Sequence, residues 1–182
     1  MQYDIPPEPW FSFLKEIDAS VIESVEFHCL GGFVVTLLYG SARTTADIDI
    51  LSIAPRSKID LLLELAGENS KLHRKYGVYL DFVTVATTPE DYDTRLTRVF
   101  ADAFANIRLF ALDPYDLALT KLERNVQRDR DDVKHLARVV PFDLSVLQGR
   151  YEKEMRVYVG VPERADSHLK MWIEMIKEKR QK

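Results

Sequence analysis

Cysteine is the scarcest residue of this 182-residue chain: it occurs once, as Cys29, so neither an internal disulfide nor a multi-cysteine metal site can form. Glycine and proline are sparse as well, at 7 and 8 residues, which excludes a collagen-like or low-complexity chain. No internal repeat is visible, and no stretch approaches the roughly 20 consecutive apolar residues that a membrane-spanning helix needs. Net positive charge is missing too. Lys and Arg total 25 against 29 Asp and Glu, a formal −4, so the chain as a whole is no general binder of polyanions and any nucleic-acid contact has to be local. The opening Met1-Gln2-Tyr3-Asp4 lacks the basic region and apolar core of a secretory leader, so the expectation is a cytoplasmic protein with no membrane association. What is present is a hydrophobic content of 46%, enough at this length for one domain with a sizeable core and a small appended lobe.

The stretch from Leu30 to Leu51 carries the chemistry. Gly31-Gly32 lets backbone amides approach a ligand without a Cβ in the way, and a helix starting there would aim free N–H groups and its positive end at an anion. Asp47-Ile48-Asp49-Ile50-Leu51 reads as a strand, so Asp47 and Asp49 share one face while Ile48 and Ile50 enter the core. Carboxylates that close repel unless a proton or a cation sits between them, and oxygen-only ligands suit Mg²⁺. A phosphate seat beside a Mg²⁺ site implies a nucleotide. The plainer alternative is an ordinary strand-to-helix turn followed by a solvated strand face.

Around this stretch the pattern predicts a first amphipathic helix over Trp10 to Ile17 and a strand over Val25 to Leu30 bearing His28, a structural residue rather than a ligand. After a turn at Ala54 to Ser57, with Ser57 as cap, a helix runs through Ile59 to Ala66. Gly77 to Val85 is the clearest strand, and Asp81 is its single charge, either a solvated edge residue or a partner for the Asp pair. Thr88-Pro89-Glu90-Asp91 resembles a helix start, which would put Arg95 and Arg98 on one side of that helix, as a solvated face or as a clamp on RNA or triphosphate. Asn106 to Leu112 suggests another strand. Asp113 and Pro114 then open a helix that carries Lys121 among apolar neighbours and continues through Asp129 and Asp132 to Leu136. Beyond Pro141 come a helix starting at Phe142, a break at Val161-Pro162, and a final helix from Ala165 to a basic end at Lys182.

Gly-Gly, a helix, then Asp-x-Asp on a strand resembles the DNA polymerase β type nucleotidyltransferase superfamily. The fuller wording Gly40-Ser41-x-Arg43-x-Thr45-x-Asp47-Ile48-Asp49 is similar to its AbiEii/MenT-like branch, known as toxins of toxin–antitoxin pairs. A second block agrees in order, Asp116-Leu117-Ala118-Leu119-Thr120-Lys121-Leu122 and then Asp129-Arg130-Asp131-Asp132-Val133, so the resemblance spans about residues 22 to 140. Two departures stand out. Gly32 and Asp47 are 15 positions apart, a little longer than the usual pattern, and Gly32 stands where many of these enzymes carry serine.

The resemblance implies an α/β (α+β) fold: a nucleotidyltransferase core over residues 1–112 with a small mixed, antiparallel-leaning sheet flanked by helices, then a helical C-terminal lobe over 113–182. It implies transfer of a nucleoside monophosphate from an NTP to an acceptor hydroxyl, with Asp47, Asp49 and Asp81 holding Mg²⁺ or Mn²⁺. Gly31, Gly32 and Ser41 would seat phosphates, Lys121 would contact them, and Arg43 would offset their charge or brace the Asp pair. One of Asp129 or Asp132 would complete the site; the alternative for that charge run is a surface helix with internal ion pairs. The implied acceptor is RNA, notably tRNA 3′ ends, with a cognate antitoxin as partner. The competing readings are a small-molecule acceptor, which suits the net-acidic surface, and a catalytically silent binding or regulatory module.

Overall fold

The computed structural model describes residues 4–180; Gln181 and Lys182, the end of the basic tail, lie outside the described residues. The chain forms two compact units, one of the chain up to Thr84 with Leu96–Leu112, the other of Val85–Arg95 with the chain from Asp113 on. No helix among the described residues is long and apolar enough to cross a membrane.

The first unit begins with α1 (Trp10–Ser20), which buries Trp10, Phe13, Leu14 and Ile17 at helical spacing. Asp18, near its end, is buried and accepts the N–H groups of Ala105, Asn106 and Ile107 at 3.1, 2.6 and 2.9 Å, fastening α1 to the start of a distant strand. Then follow β1 (Val25–Leu30), α2 (Gly31–Leu37), β2 (Asp47–Ala54), α3 (Ile59–Ala66), α4 (Lys71–Tyr76), β3 (Tyr79–Phe82), β4 (Thr97–Val99) and β5 (Ile107–Ala111). The strands form one sheet in the order β3-β2-β1-β5-β4. Pairs β1–β2 and β4–β5 are antiparallel, while β1–β5 and β2–β3 are parallel, so the sheet is mixed in equal shares rather than leaning antiparallel. Helices α2 and α3 pack on it, α2 against β1 and β2, α3 against β3.

A bulge between His28 and Cys29 shifts the β1–β2 register, so Leu30 lies opposite Asp49. Its consequence is visible in burial along β2: Ile48 and Ile50 are buried, and after the extra residue Leu51 the buried position moves to Ile53. The bulge thereby buries three isoleucines and still leaves Asp47 and Asp49 on the opposite face.

Several local expectations change. Ser57 sits inside a 3₁₀ turn, Arg56–Lys58, and caps nothing; Lys58 is the residue before α3. Helix α4 was not legible as a separate element, although its signals are strong: Ser70 accepts the His73 N–H at 3.0 Å, and Gly77 ends the helix at φ +72°, where side chains are disfavoured. The segment after Pro89 is a 3₁₀ turn, Tyr92–Arg95, followed by strand β4, so Arg95 and Arg98 do not share a helix.

The second unit is helical: α5 (Pro114–Leu119), α6 (Gln127–Val139), α7 (Leu144–Arg150) continued by a π turn Tyr151–Met155, and α8 (Pro162–Arg180). Asp113 caps α5 as expected, accepting the Tyr115 N–H at 2.9 Å, with Pro114 in the first turn. The long helix expected from Asp113 to Leu136 is two helices. The helix stops after Leu119 and resumes at Gln127; Asn125, at φ +45°, lies in the turn between, and its side chain accepts the Trp172 indole N–H at 2.9 Å. Helix α8 starts at Pro162, three residues before the expected Ala165, and buries Ala165, Leu169, Trp172 and Ile176.

Candidate active site

The site is built where β1 runs into α2 beside β2 and β3. Strands β2 and β3 are parallel and register Asp47 with Tyr79 and Asp49 with Asp81, so period-2 alternation brings Asp47, Asp49 and Asp81 to one face. Carboxylate oxygens of the three lie within 4.8 Å of one another, a group no other metal-ligating side chains match among the described residues. Asp47 and Asp49 are half-buried and Asp81 is exposed.

The first two acids are held by donors from the loop and the glycine pair. The Thr45 hydroxyl donates to Asp47 Oδ1 at 2.5 Å, and the Gly32 N–H donates to Asp49 Oδ2 at 3.1 Å. Burial, then the charges of Asp47 and Glu68, push the Asp81 carboxyl above its usual range. The Tyr79 phenol is pushed up by burial and then by Asp47, Glu68, Asp81 and Asp49, so it registers the same concentration of negative charge. Cys29 is buried behind the site, and burial with the charge of Asp49 drives its thiol far from ionisation. Three carboxylates with oxygens within 4.8 Å of one another form a donor set that fits a hard divalent cation, and oxygen-only ligation suits Mg²⁺ or Mn²⁺.

Both glycines are required by the protein's own side chains before any ligand arrives. Gly31 has φ +68°, and a Cβ there would fall 1.6 Å from Asp49 Oδ2. A Cβ on Gly32 would fall 1.9 Å from Arg43 Nη2 and 3.0 Å from Thr45 Oγ1. The pair therefore makes room for a carboxylate and a guanidinium. Arg43 is fixed through its backbone, its carbonyl accepting the Thr36 hydroxyl at 3.2 Å and its N–H donating to Ser41 Oγ at 3.4 Å.

Thr45 and Glu68 were missed as contributors. The motif Thr45-x-Asp47 held a signal for the first, since a hydroxyl two residues before an Asp can reach its carboxylate. For Glu68 no local signal exists, because its influence on Asp81 depends on the turn between α3 and α4. His28 is outside the acidic group; its ring meets that of Phe110 edge-on at 6.2 Å.

In the second unit the candidates named by the sequence are structurally engaged. Lys121 is buried, with Nζ 2.9 Å from Asp132 Oδ2. Asp129 is buried at the start of α6, accepting the Val126 N–H at 3.1 Å and Arg124 at 2.6 and 2.9 Å. Burial raises its carboxyl, but Arg124, Lys121 and that N–H outweigh burial and hold it below the usual range. Arg95, expected on a solvated face or a phosphate clamp, instead meets Asp116 at 2.8 Å and Glu154 at 2.6 Å. Arg98, on β4 of the first unit, donates to the Ala101 carbonyl at 3.0 Å.

Among known proteins, no curated protein and no solved structure matches the chain. A family model does, over residues 11–180, which span the acidic triad, the glycine pair and the helical unit alike. The chain therefore belongs to the family described as nucleotidyltransferase of unknown function, DUF6036.

Proposed function

We propose that the chain is an active, metal-dependent nucleotidyltransferase that moves a nucleoside monophosphate from an NTP to an acceptor hydroxyl, with RNA, and tRNA 3′ ends in particular, as acceptor. The observation that carries this reading is the convergence of Asp47, Asp49 and Asp81 within 4.8 Å on paired strands of a nucleotidyltransferase-family chain. These three would hold Mg²⁺ or Mn²⁺, which when bound stabilises charge on the phosphates and lowers the pKa of the acceptor hydroxyl. The acceptor oxygen attacks the α-phosphorus, the α–β phosphoanhydride bond breaks, pyrophosphate leaves, and the hydroxyl proton passes to Asp81, the exposed member of the triad. Asp47 and Asp49 keep their orientation through Thr45 and Gly32. Gly31, Gly32 and Ser41 line the phosphate seat.

The AbiEii/MenT-like resemblance supports two further parts of the proposal. Lys121, with one of Asp129 or Asp132, serves the nucleotide phosphates, and the protein acts in the cytoplasm as the toxin of a toxin–antitoxin pair. A small-molecule acceptor is the second reading, favoured by the formal charge of −4.

The test incubates purified protein with Mg²⁺, each of the four α-labelled NTPs and total tRNA, beside an Asp47→Asn/Asp49→Asn double variant. Label moving to RNA with the wild type alone supports the reading and names the nucleotide. Label moving instead to a small hydroxyl compound supplied in a parallel arm favours the second reading. No transfer to any acceptor overturns the catalytic proposal, and equal transfer by the double variant overturns the assignment of the triad.

A further inference from the structure

An aromatic ring stands on the acidic face beside the three carboxylates. Period-2 alternation on β3 puts Tyr79 on the same side as Asp81, and the parallel register puts it next to Asp47. The ring is half-buried, and the half-buried ring of His73 meets it at 4.7 Å between centroids with 49° between planes. The start of α4 fixes His73 there. Ser70 accepts the His73 N–H at 3.0 Å, while Asn69, in the left-handed region at φ +62°, donates its own N–H to His73 Nδ1 at 2.8 Å and accepts Arg74 at 2.6 Å. An Nδ1 that accepts leaves the ring proton on Nε2. The turn before α4 is fastened in its own right to the sheet edge, where Gly67 bridges to Leu80.

The order of the sheet sets this ring pair across the triad from the glycines. Strand β1 delivers Gly31 and Gly32, its neighbour β2 carries Asp47 and Asp49, and β3 beyond it carries Asp81 and Tyr79. In phosphoryl transfer the attacking and leaving oxygens stand roughly in line through the phosphorus. With phosphates seated at the glycines and pyrophosphate leaving on that side, the acceptor hydroxyl enters from the side of β3. Tyr79 and Asp81, two positions apart on a strand, are separated by about 7 Å, a gap that one nucleoside bridges between its base and its sugar hydroxyls. An aromatic face takes any base, because every base has a π-face, and gives nothing to an alcohol without one.

We propose that Tyr79, backed by His73, is the platform on which the terminal nucleobase of the acceptor stacks, so that the sugar hydroxyl beside that base reaches Asp81. This rests on the nucleotidyl-transfer reading, and it goes further by committing the acceptor to one that ends in a base, as an RNA end does and a base-free small alcohol does not. Tyr79 is an acceptor-binding residue, and His73 positions it.

The experiment uses the full chain with Mg²⁺ and a non-hydrolysable NTP analogue, and two short single-stranded RNAs: one ending in 2-aminopurine, whose emission stacking quenches, and one identical except that its last base is missing. Binding of both RNAs, and calorimetric titration of the analogue, are compared in wild type, Tyr79→Leu, Tyr79→Phe and His73→Ala. Wild type should quench the terminal base and bind the complete RNA about five- to one-hundred-fold more tightly than the RNA without that base. Tyr79→Leu should lose both the quenching and the advantage, Tyr79→Phe should recover most of each, and His73→Ala should lose part. The analogue should bind Tyr79→Leu within about two-fold of wild type. Equal binding of the two RNAs by wild type overturns the proposal even if no variant folds, and so does a Tyr79→Leu protein that keeps the advantage. Weakening of the analogue by Tyr79→Leu overturns it as well, by assigning the ring to the NTP. Wild type that binds the analogue but neither RNA leaves nucleotidyl transfer standing and removes the platform. Failure of wild type to bind the analogue brings down the nucleotide reading and this proposal with it.

Discussion

The two units treat their carboxylates in opposite ways. In the helical unit each buried acid is met by a base: Asp116 by Arg95 and Arg150 at 2.8 and 2.9 Å, Asp129 by Arg124 at 2.6 Å, Asp132 by Lys121 at 2.9 Å. The sheet unit satisfies a structural acid just as fully, since Asp18 accepts three backbone N–H groups that outweigh its burial and hold its carboxyl below the usual range. Yet the same unit gathers Asp47, Asp49 and Asp81 within 4.8 Å and leaves Asp81 raised by burial first and then by the charges of Asp47 and Glu68, with no base among the described residues to offset them. Satisfied carboxylates build a fold. Carboxylates crowded against each other cost stability unless a proton or a cation comes between them.

The strongest way to break this comparison is at Asp116, which is fully buried and serves two arginines. Asp116→Ala should cost about 3–5 kcal/mol, because Arg95 and Arg150 lose the carboxylate they share. Urea denaturation measures it, and a loss below about 1 kcal/mol would mean the network is ornamental.

Next is Lys121, whose pairing with Asp132 is buried on both sides at 5% and 3% exposure. Lys121→Met should cost about 3 kcal/mol, and adding Asp132→Leu should restore most of it. Loss of nucleotide binding by the restored double variant would place Lys121 with the phosphates as well as with the frame, and unchanged binding would leave it with the frame alone.

A smaller effect comes from pH, and here the two kinds of acid have opposite signs. Asp129 is held below its unfolded value, so its contribution to stability is present above about pH 4 and is lost as pH falls further. Asp129→Asn should therefore flatten the acid limb of the stability curve. Asp81 is raised, so the native state holds its proton more tightly than the unfolded chain does. Its contribution is fully present in acid and is lost as pH rises from about 4 through the raised value.

The smallest expected shift follows from that sign. Asp81→Asn should leave the metal-free protein as stable as wild type, or more stable by a few tenths of a kcal/mol, near neutral pH. The same substitution should remove most of the melting-temperature rise that Mg²⁺ or Mn²⁺ produces in the wild type. A destabilised variant with an unchanged metal response would place Asp81 with the structural acids.

What the sequence determined by itself is what depends on neighbours in the chain. Alternation along Asp47-Ile48-Asp49-Ile50 put two acids on one face; Asp113 before Pro114 made a helix start; the apolar stripes of α1 and α8 marked the buried sides. The mixed α/β character followed from those elements. Short elements escaped because their signals compete: β4 has three residues, and the signal of Pro89 for a helix is answered by a single 3₁₀ turn. The break between Leu119 and Gln127 was hidden within a helix-forming stretch, and the left-handed asparagine in it, Asn125, is held by Trp172, 47 positions away in the chain.

Only the tertiary structure decided which residues meet. The bulge that sets Leu30 opposite Asp49, the parallel register that sets Asp81 beside Asp49, and the Arg43 guanidinium over Gly32 are all contacts across the fold. A glycine pair reads in sequence as an opening for a ligand; in three dimensions it is first an opening for Asp49 and Arg43. Local pattern fixes which way a side chain leaves its own element, but charge and close packing act through space between elements, and no spacing along the chain encodes that.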